Sequence, residues 1–173
     1  MSNNGKIVNY FQGFVVLFSY ATSLLSLLWL YNQFSDSSIV QDILVLNARA
    51  VGVLSSIFGL NTVVHENIVH SGTISLEIVP ECTSLPFLAI FSAGIIAFPT
   101  QIRRKFQGIL LGVIGLSLLN VIRMFCILLV GMFIPSVFDS AHVLVGQSLM
   151  IVATVALWLF WWNRALIDEG IQS

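Results

Sequence analysis

The stretch FQGILLGVIGLSLLNVIRMFCILLVGMFI, residues 106–134, decides the fold. An apolar helix needs about 20 residues to cross ~30 Å of hydrocarbon, and this run exceeds that with a single charge, Arg123, well inside it. The whole chain has the same character. Of its 173 residues, 57% are hydrophobic and only 9% are charged, and the mean hydropathy is +0.96. Such a composition describes an integral membrane protein and not a soluble domain.

Three further segments read as crossings. Residues 8–31 are apolar and end on Trp29 and Tyr31, an aromatic pair suited to an interface. This segment is too long for a cleavable leader and lacks a small-residue cleavage site, so it is expected to remain as the first span. Residues 84–101 form a short uncharged span with Pro86 in its first turn, where a missing N–H costs little, and Pro99 near its exit. Residues 141–162 open near His142 and close on the aromatic run WLFWW. The expectation is an all-α polytopic membrane protein with four crossings, forming one membrane domain over 1–173.

Cations orient it, because Lys and Arg near helix ends concentrate on the cytoplasmic side. Arg103, Arg104 and Lys105 place the loop between the second and third spans inside. With four crossings, Lys6 and Arg164 fall on that side too, five of the seven basic residues. Asp36, Asp42, Glu66, Glu77, Glu81 and Asp139 then lie outside, and both termini are cytoplasmic. A net charge of −1 without a long basic run argues against nucleic acid as a partner.

The outer connection, 32–83, has structure of its own. Residues 41–60 are apolar at helical spacing but interrupted by Asp42, Asn47 and Arg49, as in an amphipathic helix lying on or dipping into the membrane surface, or a buried or re-entrant one. Val63 and Val64, then Ile74, Leu76 and Ile78, flank HSGT, the pattern of a small extracytoplasmic β-hairpin. It leads directly into Pro80, Glu81 and Cys82.

Three unusual residues fall at one depth. Cys82 stands at the outer entrance of the second span and His142 in the outer first turn of the fourth. Arg123 is far enough along the third span to lie ~25 Å across a ~30 Å core. An arginine at a helix centre costs roughly 2.5–3.5 kcal/mol on insertion scales, and such charges usually face the bundle interior. Beside a thiol, a guanidinium favours thiolate or donates to an oxyanion. An imidazole moves protons. Together these are a nucleophile, an acid/base and an anion stabiliser. Asn120, one turn before Arg123, could orient it.

The structural alternatives are a snorkelling Arg123, a solvated His142 at a helix end and an inert Cys82. Cys126, between Phe125 and Ile127, reads as a small hydrophobe. Two cysteines and three scattered histidines make no zinc-ligand spacing, so neither a metal nor a cofactor is expected. A transporter would distribute polar groups through the membrane depth, which the apolar second and fourth spans do not. A scaffold would depend on small-residue faces such as Gly108, Gly112 and Gly115.

ECTSL at a helix entrance, NVIR inside the next helix and FDSAH before the one after resemble the archaeosortase/exosortase family of membrane transpeptidases. The likeness covers roughly residues 44–160, including the G-x-I-x-L-x-I-V-P approach to the cysteine and the P-x-x-x-R-R turn. The chain is similar to a minimal-length member. The resemblance implies Cys82 as nucleophile with Arg123 and His142 as partners. Glu81, Thr83, Asn120 and Asp139 are candidate supporting residues. It also implies surface-protein substrates ending in a recognition motif, a transmembrane helix and a basic tail. These would be cut through a thioacyl enzyme at the extracytoplasmic face and passed to a lipid-linked acceptor or water. One departure stands out: Ser84 occupies the position, two after the cysteine, where the family commonly has glycine. The competing expectation is a non-enzymatic membrane scaffold or assembly factor.

Overall fold

The structure, a computed structural model, describes residues 3–72, 74–138 and 146–170. Asp139 and His142 lie outside the described residues. Helix α1 spans Asn3–Phe34 and α2 spans Ser38–Ile57. The break between them is local chemistry: Ser37 caps α2, its Oγ accepting the Val40 N–H at 3.4 Å. Helix α2 stops where Gly59 takes a φ of +76°, a conformation that favours glycine.

Three strands follow, β1 (Thr62–His65), β2 (Ile68–Ser71) and β3 (Ile74–Glu77), in an antiparallel sheet of order β1-β2-β3. The sequence predicts two strands, and the structure has three. The additional turn is Glu66-Asn67, with Glu66 at a φ of +54°, a connection without the Asn-Gly or Asp-Gly signature of a tight hairpin. Gly72, at +59°, opens the expected turn. A 3₁₀ turn, Pro80–Cys82, connects the sheet to α3 (Leu85–Ala97), followed by α4 (Ile102–Phe133), a second 3₁₀ turn (Pro135–Val137) and α5 (Gly146–Gly170).

Four helices are long and apolar enough to cross a membrane: Gly13–Phe34, Ser38–Ile57, Ile102–Phe133 and Gly146–Ala165. The protein is therefore a multi-pass, mostly helical membrane protein carrying a small sheet. The set differs from the expected one at 84–101, where α3 covers only 13 residues, or ~20 Å. Pro99 disfavours helix for its predecessor, and Phe98 leaves the helix with φ −73° and ψ 130°. Segment 41–60 is nearly all helix, and its buried face, Val40, Leu44, Ala48, Val51 and Ser55, recurs every three or four residues.

Two cores result. At the end of the bundle that carries the sheet, α2 and the sheet close over α4 through Leu44, Val51, Val69, Leu76, Ile78, Met124 and Leu128. In the body of the bundle, Phe91, Ile95, Leu116, Met150 and Trp161 join α3, α4 and α5. Helix α1 packs on α3. Gly108 and Gly112 are places where α4 is approached by Trp161 and Phe91 respectively, so a larger residue there would collide with those rings. The opposite end carries Arg103, Arg104 and Lys105; the Arg104 side chain donates to the Ala165 carbonyl, and its own carbonyl accepts from Trp161 Nε1 at 3.1 Å. The WLFWW aromatics gather there around Phe98, with ring centroids of Trp158, Trp161 and Trp162 between 5.7 and 6.5 Å away.

Candidate active site

Cys82 is the last residue of the 3₁₀ turn. Its backbone N–H donates to the Val79 carbonyl at 2.9 Å and that of Thr83 to the Pro80 carbonyl at 3.1 Å. Thr83 locks the turn, since its hydroxyl donates to Pro80 O at 2.7 Å and accepts the Leu85 N–H at 3.3 Å. Thr83 is fully buried, at 0% exposure, between the turn and the start of α3. Ser84 Oγ lies 3.1 Å from Ser117 Oγ on α4. The departure from glycine therefore ties the cysteine's turn to the helix that carries Arg123.

Cys82 is 5% exposed and Arg123 is 3% exposed, and the guanidinium acts electrostatically on the sulfur. Cys82 and Arg123 thus lie within electrostatic reach of each other. Burial pushes the Cys82 thiol up, and the Glu81 charge pushes it further; a hydrogen bond with the Val79 backbone and the Arg123 charge pull it down without offsetting burial. The expected influence of Arg123 has the right sign, but desolvation outweighs it. At neutral pH the resting residue is a thiol.

Arg123 is held by Asn120, whose Oδ1 accepts from Nη1 at 3.2 Å. Asn120 Nδ2 in turn donates to Asn47 Oδ1 of α2 at 3.4 Å, and Asn47 Nδ2 donates to Ile43 O at 2.8 Å. Arg123 Nε has no hydrogen-bond partner among the described residues. The first described residue of α5, Gly146, lies against this guanidinium; a Cβ there would sit 2.7 Å from Nε.

Two site residues escape the sequence. Tyr31, read as an interface anchor, interacts electrostatically with Glu81 and Cys82. Its hydroxyl is buried with no partner among the described residues. Asn47 registers in the sequence only as an interruption of an apolar face, the one signal that could have found it. Glu81 is exposed beside the thiol. Neither cysteine forms a disulfide among the described residues, and Cys126 is exposed on α4. Among the described residues no His/Cys/Asp/Glu group could hold a metal ion.

Residues 6–161 match the family model for transmembrane exosortases. The chain belongs to the exosortase family. Neither the curated proteins nor the solved structures contain a match. Exosortase membership supports a membrane transpeptidase-type role in general, in a family that acts on surface proteins with C-terminal sorting signals.

Proposed function

We infer that this exosortase is a cysteine transpeptidase that cuts the sorting signal of surface proteins at the outer membrane face. The observation that carries this reading is the pairing of a buried thiol, Cys82, with a buried guanidinium, Arg123, whose Nε is uncommitted among the described residues. A buried cation without a full complement of acceptors is costly for folding alone. It is suited to an anion that forms during reaction.

In this mechanism Cys82 loses its proton to His142 and its sulfur attacks the carbonyl carbon of the scissile peptide bond. Arg123 stabilises the resulting oxyanion. The C–N bond then breaks, the leaving amine takes the proton from His142, and a thioacyl enzyme remains. A hydroxyl or amine of a lipid-linked acceptor, or water, gives its proton to His142 and attacks the thioester carbonyl; the C–S bond breaks and the released Cys82 sulfur takes that proton back. Both termini are cytoplasmic in this reading, and the sheet end of the bundle faces out.

The test is co-expression with a secreted reporter that ends in a motif, a membrane helix and a basic tail. Cys82→Ala should abolish processing while leaving insertion intact, and mass spectrometry of the active enzyme should find the acyl group on Cys82. Full processing by Cys82→Ala, or an adduct on Cys126, would falsify the assignment and favour another nucleophile. Processing that requires no residue of this chain beyond its fold would favour the scaffold reading.

A further inference from the structure

The strand that leads to Cys82 is an edge. β3 pairs only with β2 among the described strands. The opposite edge strand, β1, lies along α2, with Thr62 Oγ1 donating to Gly52 O at 3.5 Å; α2 packs on β1 and β2, while α4 packs on β3.

The ladder fixes which backbone groups of β3 remain. Ile68 faces Glu77 and Val69 faces Leu76 in the β2–β3 register, and one rung further Ile78 N–H donates to Asn67 O at 2.9 Å. Ile78 thus points its backbone towards β2. In an antiparallel ladder, bonding positions alternate, so Ile74 and Leu76 point there as well, and Ser75 and Glu77 point their N–H and C=O groups away. Both residues are exposed. No described backbone group bonds to these outward groups.

The next outward position is Val79, still extended at φ −102° and ψ 162°. Its outward carbonyl accepts the backbone N–H of Cys82 at 2.9 Å. Ser75, Glu77 and Cys82 therefore occupy successive places along one edge. Exposed strand edges are usually blunted because they accept other chains, yet this one ends at a nucleophile.

The geometry points to β3 as the docking strand for the substrate: the segment just before the scissile bond adds as a fourth strand to its outward edge, unpaired among the described residues, hydrogen-bonded to the backbones of Ser75 and Glu77, and delivers its carbonyl to Cys82. Only extended polypeptide backbone carries donors and acceptors at the spacing this edge offers. The occupant is therefore an extended peptide and not a lipid. This inference rests on the transpeptidase reading. A substrate whose chain enters the membrane after its cleavage site runs in the same sense as the enzyme's chain from β3 into α3, so the added strand is parallel to β3. Main-chain bonds would hold the motif, while side chains at alternate positions would set selectivity.

Two measurements on the full chain in lipid vesicles test it, using the same reporter. Glu77→Pro removes an outward N–H and no ladder bond. Processing should fall by about tenfold, the worth of one to two backbone hydrogen bonds. Glu77→Ala should stay within about twofold, and alkylation of Cys82 by N-ethylmaleimide should be unchanged in both. The second measurement needs no variant: amide exchange at Ser75 and Glu77 should slow by about tenfold when the reporter is held as the thioacyl enzyme, with no change at Leu76. Equal exchange in the free and acylated enzyme overturns the docking strand, whatever the proline variant does. An active enzyme that never carries the acyl group on Cys82 sinks the transpeptidase chemistry first and the docking proposal with it.

Discussion

Cys82 is buried for a reason that shows in its protonation. A thiol at an exposed helix entrance would sit near its ordinary value of ~8.5, but here desolvation raises it and Glu81 adds to the rise. The rate of Cys82 alkylation should therefore climb with pH to a midpoint above ~8.5. Removing Arg123 removes a lowering influence, so Arg123→Ala should move the midpoint further up. Glu81→Gln removes a raising one and should move it down. A midpoint indifferent to both substitutions would mean that neither charge reaches the sulfur. Gly146 belongs to the same chemistry. Gly146→Ala places a methyl group 2.7 Å from Arg123 Nε, and the guanidinium must shift. Processing should drop by about tenfold, with insertion unchanged and the alkylation midpoint displaced upward as in Arg123→Ala. The co-location of Cys82 and Arg123 was legible because helix rise converts residue count into depth. Tyr31 and Asn47 were not, since each arrives from a distant element and belongs to no local motif. Nor was the direction of the thiol's shift, which burial sets and tertiary packing decides.

At the scale of elements, close approach is bought with glycine. Phe91 of α3 is 1% exposed and its ring occupies the space that a Gly112 side chain would need. Gly112→Leu should destabilise the bundle by about 1–3 kcal/mol, the usual cost of overpacking. Reversible unfolding in mixed micelles measures it, and an unchanged midpoint would show that α3 and α4 can separate freely. Among the described residues, each long helix lies on an apolar run. Helix ends were less legible, because the apolar residues Phe98 and Pro99 continue the hydropathy of α3 but not its backbone. The sheet was half legible: Gly72 announces its turn, whereas the Glu66 turn has no such residue and is held by the register of the strands around it.

At the scale of the molecule, the polar network from Asn47 through Asn120 to Arg123 joins the sheet-end core to the membrane helices. Cys82 belongs to the sheet-end core, and Asn120 stands on α4 between Leu116 of one core and Met124 of the other. The same architecture leaves a short helix among long ones. Helix α3 is ~20 Å long, whereas α4 has 32 residues and α3 has 13. Lipids beside α3 meet an apolar wall shorter than the ~30 Å hydrocarbon core they form, and a bilayer answers such a mismatch by thinning. The cost grows with acyl length, by fractions of a kcal/mol per Å. Processing by purified enzyme should accordingly fall from vesicles of 14-carbon lipids to vesicles of 22-carbon lipids at equal incorporation. Identical rates across that series would show that α3 is insulated from lipid by its neighbours. If the rates do fall, the thickness of the host membrane becomes a control on this enzyme, acting through the element that begins at the cysteine's own turn.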